Sequence, residues 1–260
     1  MSTLPIAIAL SAGCLLAGLI GLALRPRLAE HHLDDESRAV VTNITGLIAA
    51  MSALLLGLLV ANAQSAYNTV SDEVDQLAAN LVEIDRALST FGADAVPARA
   101  LLRQVSTVEI ERIWPAKGGS EVAVALDPLA ADAARLRFGA LVGALPAATE
   151  AQRATQRHIL DLLGASARTR VLLFNQVNND LPLPIVLVVS FWLVTLFLAF
   201  GLLARLNAVV VIALAIGAAS VGGAMFLVLE LNRPFGGIMQ VSDDSLRAAL
   251  ALMDRAPAAR

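Results

Sequence analysis

Four charge-free apolar stretches, two toward the N-terminus and two toward the C-terminus, constrain this chain more than any short motif. Leu4 to Leu24, Val40 to Ala63, Leu183 to Ala204 and Ala208 to Leu229 each supply the roughly 20 apolar residues that cross a bilayer core. A polar segment of more than a hundred residues separates the two pairs. The expected fold is an all-α, multi-pass integral membrane protein with four transmembrane helices in two pairs (2+2). Residues 1–63 carry spans 1 and 2 (4–24 and 40–63), and 64–182 form a helical extramembrane domain. Residues 183–229 carry spans 3 and 4 (183–204 and 208–229), and 230–260 form a C-terminal tail.

Hydrophobic residues make up 57% of the chain, where roughly 45–50% is usual for a soluble domain. Lys and Arg number 19 and Asp and Glu 22; of these, 11 basic and 14 acidic residues fall between Gln64 and Pro182. The insert therefore reads as a mildly acidic solvated domain, and the clustered basic excess of a nucleic-acid surface is absent. The one cysteine, Cys14, lies in the first span, so no intramolecular disulfide is possible. That span lacks a basic leader and exceeds the usual signal-peptide core in length, which favours a retained anchor. Ser11-Ala12-Gly13-Cys14 resembles a lipoprotein cleavage box only weakly, because Ser11 stands where leucine is usual.

The apolar pattern of the second span continues past Ala63 as Tyr67, Val70, Val74, Leu77, Leu81, Ile84, Leu88 and Phe91. This 3,4 spacing is that of a coiled-coil seam. No proline intervenes between Pro26 and Pro97, so one helix from about Asp35 to Phe91, roughly 85 Å long, is expected. The seam needs a partner, from another subunit or from the insert itself. Pro97 suits a first helical turn, with Leu101, Val105, Val108 and Ile113 following on one face up to Trp114-Pro115. Asp127-Pro128 opens a helix running to about Leu145. A further helix near Thr149 to Asn178 places Thr155, Ile159, Leu162, Ser166, Thr169 and Leu173 on one face. Glu121 to Leu126 is the one strand-like run, and it is too short to pair alone.

Within lipid, helices meet through small residues. Gly46, Ala50, Ala53, Gly57 and Ala61 recur along the second span at such a spacing, with Asn43 and Gln64 near its ends. These seven are candidate pore-lining residues, a narrow apolar wall of the kind that gates by dewetting; the same spacing also serves helix packing. Span 4 carries similar sets, Ala215/Ala219/Gly223 and Ala218/Gly222. No ionisable residue falls in the middle of a span, which argues against a proton-coupled pump. Arg205, between spans 3 and 4, and Glu230 with Arg233, past span 4, are candidate vestibule or membrane-exit residues. His31, His32, Asp34 and Asp35 have ligand chemistry for a metal, although the acids equally suit a helix start. Neither a phosphate-binding glycine loop nor a nucleophile elbow occurs, so neither an enzyme nor a cofactor is expected.

One family accounts for a scatter of short patterns along the chain. Arg168-Thr169-Arg170, Pro182, Phe191-Trp192-Leu193, Phe200-Gly201-Leu202, Asn207 and Glu230-Leu231 to Pro234-Phe235 carry it in the C-terminal half. His32-Leu33, Leu55-Leu56-Gly57, Asp85-Arg86, Phe91-Gly92, Arg99 and Ile113-Trp114-Pro115 carry it in the N-terminal half. With these the chain resembles a bacterial membrane-protein family of unassigned function described as bestrophin-like, and more distantly the bestrophin channels. The resemblance implies an oligomeric ion channel with the second span around a central axis, the insert as a helical vestibule, and an insert on the cytoplasmic side. The second span lacks the bulky apolar neck of bestrophins, and no acidic cluster matches their calcium clasp, so neither selectivity nor calcium regulation carries over.

Arg25, Arg27 and Arg38 in the first connector slightly outweigh the opposite side, so the positive-inside rule leans toward an external insert in a bacterial inner (plasma) membrane. Two functions follow. One is a homo-oligomeric channel for small inorganic ions, lined by span 2 within the lipid bilayer. The other is a non-conducting, membrane-anchored sensor or scaffold that acts through the helical domain.

Overall fold

The computed structural model describes residues 3–27, 35–114, 128–177 and 183–255. Every regular element among them is helical: α1 (Thr3–Leu24), α2 (Asp35–Ser89), α3 (Val96–Ile113), α4 (Pro128–Gly143), α5 (Glu150–Val177), α6 (Leu183–Leu203), α7 (Ala208–Leu231) and α8 (Asp244–Arg255). Four of them, α1, α2, α6 and α7, are long and apolar enough to cross a membrane. The chain divides into two compact units, Met1–Ala66 with Asp180–Arg233, and Tyr67–Asn179 with Pro234–Arg260. Helix α2 contributes to both; its 55 residues make it about 82 Å long at 1.5 Å per residue.

In the apolar unit, α1 packs against α6 and α7. Lipid offers no hydrophobic drive between helices, so close backbone approach must supply the contact. A stripe of mostly small residues on α1 provides it: Ala7, Cys14, Ala17, Gly18 and Gly21 are buried. At the crossing with α6, a Cβ on Gly21 would stand 2.4 Å from the Leu198 carbonyl oxygen, and one on Gly201 would stand 2.1 Å from that of Gly18. Only glycine fits either position. Against α7, a Cβ on Gly222 would overlap the Ser11 hydroxyl, and that hydroxyl donates to the Ala218 carbonyl at 3.0 Å. Asn207 caps α7, its side-chain oxygen accepting from the Val210 N–H at 2.8 Å.

In the helical unit, the seam of α2 is covered by the chain's own helices. Ile84, Leu88 and Phe91 cluster with Ala98 of α3, Phe138 and Val142 of α4 and Ile159 of α5. Val70 and Val74 cluster with Ile113 and Leu173. Helix α5 opens on a reciprocal capping box: the Thr149 hydroxyl accepts from the Gln152 N–H, and the Gln152 side chain accepts from the Thr149 N–H, each at 3.1 Å. Pro97 sits in the first turn of α3, as its fixed φ favours.

The boundaries differ from the sequence reading by a few residues. Helix α2 stops at Ser89 rather than Phe91, and α4 at Gly143 rather than Leu145. Asp34, Asp127, the Glu121 to Leu126 run and the Asn178 to Pro182 breaker lie outside the described residues.

The larger difference is the tail, where residues 244–255 form α8. Its Ala249 and Met253 pack with Ala78 and Leu81 of α2. The preceding loop is pinned to the same unit. The Trp114 indole N–H donates to the Val241 carbonyl at 2.7 Å, and its ring meets Phe235 edge-on at 5.4 Å between centroids. Tail residues thus complete the helical core.

Candidate functional site

At 100° per residue, the membrane half of α2 presents three faces about a third of a turn apart. One is buried within the chain: Thr45, Ser52, Leu59 and Ala63. A second carries large apolar side chains in the open, including Ile44, Leu47, Met51, Leu54 and Leu58. The third is the small-residue stripe, and all seven of its members, Asn43, Gly46, Ala50, Ala53, Gly57, Ala61 and Gln64, are exposed. A Cβ placed on Gly46 or Gly57 would meet nothing within 4 Å. The contrast with Gly21, Gly201 and Gly222 is direct, since those glycines close helix contacts and these two close none among the described residues. Span 4 divides the same way: Ala218 and Gly222 are buried, whereas Ala215, Ala219 and Gly223 are exposed.

Asn43 and Gln64 stand 21 residues apart, about 32 Å along the helix, which matches the ~30 Å hydrocarbon thickness. The stripe therefore has amide side chains near its two ends and only small apolar groups between. Such a surface offers no fixed charge and no metal ligand. Thr45 bonds back to the Val41 carbonyl at 2.7 Å, which removes its hydroxyl from any pathway.

The charged residues flagged near the membrane occupy different settings. Arg205 and Arg233 are exposed. Glu230 is 1% exposed, and its carboxylate accepts from the Thr3 hydroxyl at 2.7 Å, tying the end of α7 to the start of α1. Of the weak metal candidates, Asp35 is exposed at the start of α2, and His31, His32 and Asp34 lie outside the described residues. Among the described residues, no group of three or more His, Cys, Asp or Glu side chains is arranged to hold a metal ion.

The seam positions form no open surface. Val70, Val74, Leu81, Ile84, Leu88 and Phe91 are buried, and Tyr67 and Leu77 pack beside them. Two polar features interrupt this core. Asp85 is buried and accepts two bonds from Arg99, each at 2.8 Å; those bonds make the guanidinium still harder to deprotonate. Glu73 of α2 accepts from the Gln176 amide of α5 at 3.2 Å. Its other oxygen, and the side-chain oxygen of Gln176, are buried with no donor among the described residues. Burial raises the Glu73 pKa above the ordinary value, with the Gln176 bond opposing.

Sequence reasoning did not single out Glu73, Gln176, Gly18 or Gly21. The first two look like any polar residues on a solvated helix, and the last two become specific only once α6 is laid against them.

The profile of the bestrophin-like domain matches residues 12–246. Among solved structures, a tryptophan-to-alanine variant of a bacterial bestrophin homologue from Klebsiella pneumoniae superposes with a TM-score of 0.71 at 16% identity, covering 98% of this chain and 96% of that one. The homologue phased on zinc gives 0.67 at 15% identity, covering 95% and 96%. An isoleucine-to-threonine variant gives 0.68 at 15%, with the same coverage. No curated protein matches the sequence significantly. The match to the domain profile over nearly the whole length, on a four-span helical chain of this fold, places the protein in the bestrophin-like family of membrane proteins.

Proposed function

We propose that the protein is a homo-oligomeric ion channel whose conduction path is lined by the small-residue face of α2. The observation that carries this reading is the exposure of all seven stripe residues in a helix that buries a different face in its own chain. A membrane helix that leaves glycines open toward nothing has them available for a neighbouring backbone or for water. In a ring of identical subunits, the buried face meets its own chain and the large apolar face meets lipid or the adjacent subunit. The small face is then left toward the axis. Methyl groups and glycine backbone around a narrow axis form an apolar constriction, through which ions pass when it wets. Asn43 and Gln64 at the two ends supply amide dipoles where ions gain or lose hydration. Arg205 is an exposed cation between spans 3 and 4, which favours anions near that membrane surface.

The family and fold support this reading, and so does the covered seam. A long helix whose extramembrane seam is largely covered by its own chain offers little heptad face with which to recruit a partner, so the sensor or scaffold reading loses much of its motive.

The test is ion flux from liposomes holding the purified protein, alongside Ala53→Trp and Leu54→Trp at equal density. Ala53 and Leu54 are adjacent in sequence and lie on the small and large faces. Flux abolished by Ala53→Trp and kept by Leu54→Trp is the expected result. Equal loss in both would remove the small face of α2 as the lining of the path, and no flux from folded protein would replace the channel with the scaffold.

A further inference from the structure

Between α7 and α8 the chain makes a hoop with a closed neck. The Val241 N–H donates to the Pro234 carbonyl at 2.7 Å, so the segment 234–241 leaves and returns at one point. The neck is also held from outside. Trp114 donates to the Val241 carbonyl and packs edge-on against Phe235, and the Tyr67 hydroxyl donates to the Gln240 carbonyl at 3.2 Å. At the tip, Gly237 has a φ of 90°, which glycine adopts without strain. Its carbonyl accepts from the Gln240 amide at 3.1 Å. A neck pinned this way holds its tip in one place, and the tip is apolar: Ile238 is 82% exposed and Met239 39%. No Asp, Glu, Lys or Arg stands between Arg233 and Asp243.

Two tethers set the distance of the hoop from the bilayer. Tyr67 lies three residues past Gln64, where the small-residue stripe ends, which is about 4.5 Å of helix rise. The headgroup layer on each side of the hydrocarbon is roughly 5–8 Å deep. Helical side chains lean toward the N-terminus of their helix, which for Tyr67 is the direction of the span. The hydroxyl of Tyr67, and the Gln240 carbonyl bonded to it, therefore stand at headgroup level. The chain is the second tether. Pro234 follows Leu231, the last residue of α7, by three residues, a reach of at most about 11 Å.

A lone apolar side chain in water needs no explanation. A fixed, uncharged apolar pair at the edge of a span is different, since it matches the boundary between headgroups and acyl chains. A second copy of the chain fits less well, because two side chains supply a small part of the ~800 Å² that each partner of a standard interface buries. We propose that the tip of this hoop is a membrane-surface contact, with Ile238 and Met239 inserted at the headgroup–acyl boundary of the bilayer that holds the spans. The contact anchors the segment between α7 and α8 at the membrane surface, and it does not depend on conduction.

The experiment uses the full-length protein in a Cys14→Ser background, reconstituted in liposomes, with an environment-sensitive fluorophore on Ile238→Cys or Met239→Cys. Ala93→Cys, exposed beyond the far end of α2, is the water-facing control. Iodide on both faces of the membrane should quench the control strongly and the hoop probes weakly. Lipids with a nitroxide near the headgroup should quench the hoop probes more than lipids with one near the chain end. Ile238→Asp, with the fluorophore on Met239→Cys, should restore quenching by iodide and lose quenching by lipid. Ile238 is exposed, so neither of its substitutions removes core packing. Iodide quenching of the hoop probes equal to the control, or no effect of Ile238→Asp, would overturn the assignment. Shielding from iodide and from both lipids, as beneath a second copy of the chain, would overturn it too.

Discussion

The two halves of α2 are one uninterrupted helix with opposite fates. From Tyr67 to Ser89 the seam is enclosed by α3, α4, α5 and α8 of the same chain. From Val40 to Ala63 only one face is buried, and both the large apolar face and the small-residue face lie open. Hydrophobicity does not explain the difference, since the open half is the more apolar. What differs is the solvent. In water an apolar seam must be covered by protein, whereas in lipid a large apolar face is already at rest. A small-residue face is not explained by lipid, which has no preference for glycine over leucine, and so it calls for a neighbour or a water path.

The largest effect is expected where the enclosed half holds a charge. Asp85→Ala leaves the Arg99 guanidinium half-buried without its carboxylate, a change worth about 3–5 kcal/mol. Chemical unfolding followed by circular dichroism measures it, and the double change Asp85→Leu/Arg99→Leu should recover most of the loss. Next, Leu88→Ala in the enclosed half should cost about 2–5 kcal/mol through the cavity it leaves. Leu54→Ala in the open half should stay within about 0.5 kcal/mol, because Leu88 is 0% exposed and Leu54 75%. Similar losses in both would erase the distinction between the halves.

The smallest effect is expected where the seam admits a polar group. Glu73 has a raised folded pKa, so its contribution to stability is complete only below the ordinary carboxyl range and is lost as pH rises toward the folded pKa. Glu73→Gln removes that loss and also supplies an N–H for the unpartnered Gln176 oxygen. A gain of about 1 kcal/mol at pH 7.5 is expected, shrinking as pH falls toward 4.5, the ordinary glutamate value. Thermal unfolding at several pH values reads it; a gain that persists unchanged at acid pH would mean that burial of the charge is not its cause.

The sequence carried the fold well wherever local pattern decides it. Charge-free runs marked the spans, and the 3,4 spacing carried α2 beyond the membrane to within two residues of its end. Pro97 and Pro128 marked helix starts. The tail shows where that reading stopped. Leu246, Ala249, Leu250 and Met253 hold helical spacing after Asp244, but twelve residues at the end of a chain carry little weight until Ala78 and Leu81 are seen to receive them.

Of the candidate site, the stripe itself was legible on α2 as a spacing of small residues, yet spacing cannot say whether a glycine closes a contact. Gly222 and Gly57 look alike in sequence. One meets Ser11 and the other meets nothing, and only the packing of α1 against α7 separates them.

A conduction path along α2 requires its small face to meet water while the large face does not. Single cysteines placed at Gly46, Ala50, Ala53 and Gly57, and in parallel at Leu47, Leu54 and Leu58, in a Cys14→Ser background, can be reacted with a charged thiol reagent in proteoliposomes. Rapid modification of the first set and protection of the second is the result expected. Protection of both sets, or modification without regard to face, would contradict a pathway along α2.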